Sequence, residues 1–73
     1  MNYYVKLFDF EKIHSEQALF KSAREDDCWA SVRKHLTCGV PSVREKAKRY
    51  VVMDSLGRCY DPSYDVYILK KAA

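Results

Sequence analysis

Residues 22–41 read SAREDDCWASVRKHLTCGVP, and this stretch decides the fold. Ser22 and Glu25 stand at the spacing of a capping box, in which each side chain satisfies an otherwise orphaned backbone N–H of the first helical turn. Glu25, Asp26 and Asp27 crowd the start while Arg33, Lys34 and His35 crowd the end, so both charge clusters oppose the helix dipole beside them. Trp29, Val32 and Leu36, with Cys28 alongside, recur at the helical period as one narrow apolar stripe. Gly39 is placed to give a left-handed stop, with Pro41 just beyond it. The pattern predicts a helix over 22–38 whose stripe, led by Trp29, faces a core.

Working outward, the chain changes to strand chemistry on both sides. Residues 3–10 are aromatic and β-branched, alternating Tyr3, Val5 and Leu7 against Tyr4, Lys6 and Phe8, which predicts a first strand. Residues 11–16 are polar, the length of a hairpin loop, and residues 17–23 suit a second strand feeding directly into the helix. Carrying the helix back to Glu16 instead would turn Phe20 away from Trp29, a break of phase. Beyond Gly39, Ser42 and Glu45 repeat the capping-box spacing and could open one helical turn, with a loop as the equal alternative. Residues 50–53 form a strand core, Asp54-Ser55-Leu56-Gly57 is turn chemistry, residues 58–60 return, and residues 65–70 give a last strand after Asp61-Pro62-Ser63.

The fold class expected is therefore α+β: a small antiparallel β-sheet, ββαββ-like with four to five strands, and one main α-helix packed on one face. One helix cannot cover two faces. With tyrosines at 3, 4, 50, 60, 64 and 67, the uncovered face is expected to expose rings and some aliphatics.

At 73 residues the chain, read over 1–73, is a single domain near the lower size at which a core suffices without disulfides or metal. Nearly half the residues are apolar, unlike a disordered chain. No run of about 18 apolar residues and no basic-then-apolar leader occurs, so a soluble, cytoplasmic protein with no membrane partner is expected. Cys28, Cys38 and Cys59 are odd in number with no CxxC pair, which argues for packed thiols over a disulfide framework.

No catalytic, cofactor or metal signature stands out. Cys28, His35, Cys38 and Cys59 are the ligand types of zinc, yet Cys28 and His35 lie two turns apart on one helix and cannot share an ion. Cys38 beside His35 is the one local thiol–base pair, at a helix C-terminus whose dipole disfavours a thiolate. Two glycines cannot make a phosphate loop. The chain reads as non-enzymatic, with no cofactor.

Charge and aromatic content leave binding. The net charge is +3, and residues 37–73 carry seven basic against four acidic side chains while residues 1–36 are balanced. Arg44, Lys46, Lys48, Arg49 and Arg58, with Tyr60, Tyr64 and Tyr67, are the candidate partner-binding residues; Lys70 and Lys71 add charge. Exposed Tyr, Met and Arg are the side chains of protein interface centres. The same rings and cations suit single-stranded nucleic acid, the alternative, although residues 48–53 lack the glycine and phenylalanine pattern of an RNP1 strand. Free sheet edges allow a homodimer.

In size and element order the chain resembles small accessory proteins of phages and plasmids, including inhibitors such as anti-CRISPR proteins. That likeness implies a stoichiometric inhibitor or regulator of a larger protein or nucleoprotein complex, and it transfers no residues.

Overall fold

The computed structural model describes residues 2–9, 12–13, 17–61 and 66–68. In chain order they form β1 (Tyr3–Leu7), β2 (Phe20–Ser22), α1 (Glu25–Leu36), α2 (Pro41–Ala47), β3 (Tyr50–Asp54), β4 (Arg58–Tyr60) and β5 (Val66–Ile68). The strands make one antiparallel sheet in the order β2-β1-β3-β4-β5. The expected α+β fold, an antiparallel sheet with a main helix packed against it, is the fold observed. Of the expected last strand, β5 occupies the described part; Asp65 and Lys70 lie outside the described residues.

Register assigns the two sheet faces. Tyr3, Val5 and Leu7 of β1 stand opposite Asp54, Val52 and Tyr50 of β3, so these positions share a face. Val52 in turn faces Tyr60 of β4. Onto this face α1 lowers Cys28, Trp29 and Val32, which cluster with Val5, Tyr50, Val52 and Ala47 of α2. Trp29 is buried, as its place on the stripe predicted. Each fully buried aliphatic of this layer contributes about 1.5–3 kcal/mol relative to exposure.

The second face differs from expectation. Val51 and Met53 of β3 and Cys59 of β4 lie there, and they are buried in a smaller cluster with Ile13, against which Tyr4 and Phe8 pack. Ile13 reaches this cluster from the turn after β1, where the Lys12 amide donates to the Asp9 carbonyl at 3.0 Å. Lys6, only 6% exposed, points to the same side and donates its Nζ to the Ile13 carbonyl at 3.0 Å. The ammonium thus satisfies a carbonyl of the segment that brings in Ile13, which removes much of the penalty of burying it. Among the described side chains, meanwhile, the tyrosines are not an open row: Tyr50 is 7% exposed beneath α1, and Tyr3 and Tyr60 pack against the same helix-side cluster.

Helix ends also depart from the sequence reading. Ser22 is held in β2 opposite Tyr3, so strand pairing takes the residue that was expected to cap the helix. Its hydroxyl accepts the Arg24 amide at 3.1 Å and donates to Asp27 Oδ2 at 2.8 Å, and α1 begins only at Glu25 with Arg24 at the cap position. At the other end Thr37, not Gly39, closes the helix: its amide and its hydroxyl both donate to the Arg33 carbonyl, at 3.1 and 2.9 Å. Gly57 is the glycine with positive φ, at 86°. Pro41 opens α2 at its first position, where its fixed φ fits and no N–H is missed, so the segment after Gly39 is a seven-residue helix starting before Ser42.

Candidate functional site

The basic segment 44–49 falls on α2 and the turn that leads into β3. Arg44 and Lys46 lie on α2, Lys48 at its C-cap and Arg49 in the turn beyond, and the roles of the four separate. Arg44 is half-buried and donates Nη1 back to the Cys38 carbonyl, tying the end of α1 to α2. Lys48 pairs with Glu45 at 2.9 Å, and the hydrogen bond from that ammonium is the main reason the Glu45 carboxyl is held below its ordinary range. Both partners are well exposed, so the pair adds little to stability. Lys46 and Arg49 are exposed, and neither meets an acidic partner among the described residues. The Arg49 carbonyl accepts the Phe8 amide at 2.8 Å, which fixes this basic end beside the end of β1.

Arg58 belongs to a different place. It stands past the far end of β3, about 13 Å of strand away from the α2 end. Asp54, buried at 1% exposure, organises the turn there. Its Oδ1 accepts the amides of Leu56 and Arg58 at 2.9 and 3.0 Å, and its Oδ2 accepts Arg58 Nε at 2.7 Å. This bond to Asp54, followed by the attraction of its charge, pushes the guanidinium pKa further up. The Gly57 amide closes the turn onto the Asp54 carbonyl at 3.1 Å. Arg58 is thus largely occupied in shaping its own hairpin. Tyr60 is half-buried on the helix side. Tyr67 lies in β5 opposite Cys59, and Tyr64, Lys70 and Lys71 lie outside the described residues.

The structure therefore keeps Lys46, Lys48 and Arg49 at one end of α2 and the turn after it, and separates that end from Arg58 and Tyr60. The residues that the sequence reading missed are Leu19 and Phe20, exposed at 51% and 37% on the outer edge of the sheet. The signal was present, because Phe20 was the residue that broke the helical phase. Tyr4, on the second face, has two ammonium groups near its ring, Lys6 at 5.9 Å and Lys21 at 5.8 Å.

The reactive side chains are dispersed. Cys28 lies in the helix-side cluster and Cys59 in the other, so the sheet stands between them. Burial pushes both thiols up, that of Cys59 to about 11, which suits packing and opposes nucleophilic use. His35 Nδ1 lies 2.8 Å from the Ser31 carbonyl and donates to it, so the ring is held with Nδ1 protonated; its edge meets the Tyr50 ring at a centroid distance of 5.6 Å. Among the described residues no three His, Cys, Asp or Glu side chains gather as a metal site, and no helix is long and apolar enough to cross a membrane.

No protein-family model matches the chain, and comparison with curated proteins and with solved structures likewise returns no match.

Proposed function

We infer that this protein is a non-enzymatic binding module that acts stoichiometrically on a larger protein or nucleoprotein complex, as the small phage and plasmid inhibitors it resembles in size do. The observation that carries the reading is the basic end of α2, where Lys46 and Arg49 stay exposed and meet no acidic partner among the described residues, while Arg44 is tied to the Cys38 carbonyl and the exposed Lys48 is paired with Glu45. Two cations three residues apart, Lys46 on a short helix and Arg49 in the turn that anchors it to β3, match an acidic surface better than a solvated loop would, because little backbone freedom is lost on docking. Such a contact steers association and sets specificity.

A protein surface is favoured over direct single-strand binding by the state of the rings. Stacking needs aromatic faces open beside a cationic track, whereas among the described side chains Tyr50 is buried and Tyr3, Tyr4 and Tyr60 are half-buried. The two readings part in one experiment: affinity capture with the tagged chain and with its Lys46→Glu/Arg49→Glu variant, each with and without nuclease. The protein reading expects a discrete partner that survives nuclease and is lost with the double variant. Recovery of nucleic acid alone, abolished by nuclease and weakening with salt at a log–log slope near about −0.9 per phosphate, would replace it with the nucleic-acid reading.

A further inference from the structure

The outward face of α1 is as regular as its buried one. Asp27, Ala30, Ser31 and Lys34 recur at three- and four-residue intervals, and with Phe20 and His35 they line an open groove of about 400 Å³. At the floor of that groove β2 is the outer strand of the sheet. Among the described residues no strand pairs with its outer edge, so a row of backbone N–H and C=O groups is available to a further strand. Leu19, just before β2, and Phe20, its first residue, are exposed apolar side chains beside that edge.

Charge says what covers it. Asp27 and Lys34 stand seven residues apart on α1, on the order of 10 Å along the axis, with opposite signs. The hydroxyl of Ser22 holds the Asp27 carboxylate in place at its end of the groove. The midpoint of the interval falls between Ala30 and Ser31, the two small side chains of the face. A two-fold axis through that midpoint runs a second α1 antiparallel to the first and sets Lys34 of each copy against Asp27 of the other. Self-complementarity of this kind is the condition for an isologous contact.

The same axis, perpendicular to the sheet, pairs β2 antiparallel with its copy. Centred on Phe20, the pairing lays the two Phe20 rings side by side along the joined groove and puts Lys21 opposite Leu19, its stem over the leucine. Centring on Lys21 would oppose two like charges, which selects the Phe20 register. We propose that this face is the interface of a homodimer, in which a second copy of the chain adds its β2 and joins the two five-stranded sheets edge to edge. The dimer then carries two copies of the basic α2 end, independent of what that end binds.

Sedimentation analysis of the full chain tests the proposal. The expected result is a concentration-dependent species of twice 8.6 kDa. Lys34→Asp, which turns both symmetric attractions into repulsions, raises the dissociation constant by about tenfold or more. Asp27→Lys combined with Lys34→Asp restores the dimer, because the exchanged pair is again complementary. Hydrogen exchange on the unmutated chain gives a readout free of any folding defect in the variants: the β2 amides that face away from β1 gain protection as concentration rises, whereas the Leu19 amide, already donating to the Val5 carbonyl at 2.8 Å, does not. A chain that stays monomeric to millimolar concentration, a dimer indifferent to Lys34→Asp, or outward-facing β2 amides that do not respond to concentration would each overturn it. An extended segment of another protein on this edge would produce the first of those outcomes.

Discussion

The two faces of the sheet are buried by different means. On one, a twelve-residue helix supplies Cys28, Trp29 and Val32 as a layer over Val5, Tyr50 and Val52. On the other, Ile13 comes from a turn, and a buried lysine holds the carbonyl of that same residue. The first cover is cooperative, because a helix carries all its anchors as one rigid unit. The second depends on few contacts, and this makes it the less stable of the two. With both faces occupied, exposed chemistry is driven to the perimeter: the β2 edge, the outer face of α1 and the end of α2.

This contrast can be broken first at its strongest point. Trp29→Ala removes the main anchor of the helix layer and costs about 3–5 kcal/mol, enough to unfold a domain of this size in a urea titration. Ile13→Ala should cost less, about 2 kcal/mol, because a turn can collapse toward the gap more readily than a helix can. Equal losses would mean that the two faces fold as one unit. Asp54→Ala, at the hairpin rim, leaves two backbone amides and an arginine without their acceptor, for a loss of about 2 kcal/mol in the same assay.

Alkaline pH probes the second face by itself. The Cys59 thiol ionises near 9.0 when unfolded and only at about 11 in the folded chain, chiefly because it is buried. The unfolded state gives up its proton first, so stability is intact below about pH 9 and falls as pH rises toward about 11. Cys59→Ala should flatten that fall; Cys28 shifts in the same direction, so part of the slope remains. The smallest effect is expected at the basic end, where Lys46→Glu/Arg49→Glu should change stability by no more than about 0.5 kcal/mol. A large loss there would show those cations to be structural.

Legibility followed how locally each feature is specified. The α1 stripe, the alternation of β1 and the Asp54–Gly57 turn are set by residues within a few positions of one another, and the sequence reading found them. Cover for the second face depends on Ile13 meeting Val51, Met53 and Cys59, a contact across most of the chain that no periodicity announces. Lys6 was the clue, a charge in an otherwise apolar alternation. The capping box at Ser22 failed because β2 pairing competed for the residue, and the stop at Gly39 failed because Thr37 could satisfy Arg33 first. Of the candidate site, the clustering of Lys46, Lys48 and Arg49 followed from their spacing. The separation of Arg58 did not, since it depends on β3 lying between.

The most direct test of a sheet closed on both faces is the rate at which a thiol reagent labels each cysteine in the native protein, followed by mass spectrometry. Cys38 is half-exposed, whereas Cys28 and Cys59 are fully buried on opposite faces. The expected result is rapid labelling of Cys38, with Cys28 and Cys59 both protected and Cys59 the faster of the two to yield as urea is added. Labelling of Cys59 as fast as that of Cys38 in native buffer would contradict the account, and would return the second face to consideration as an open binding platform.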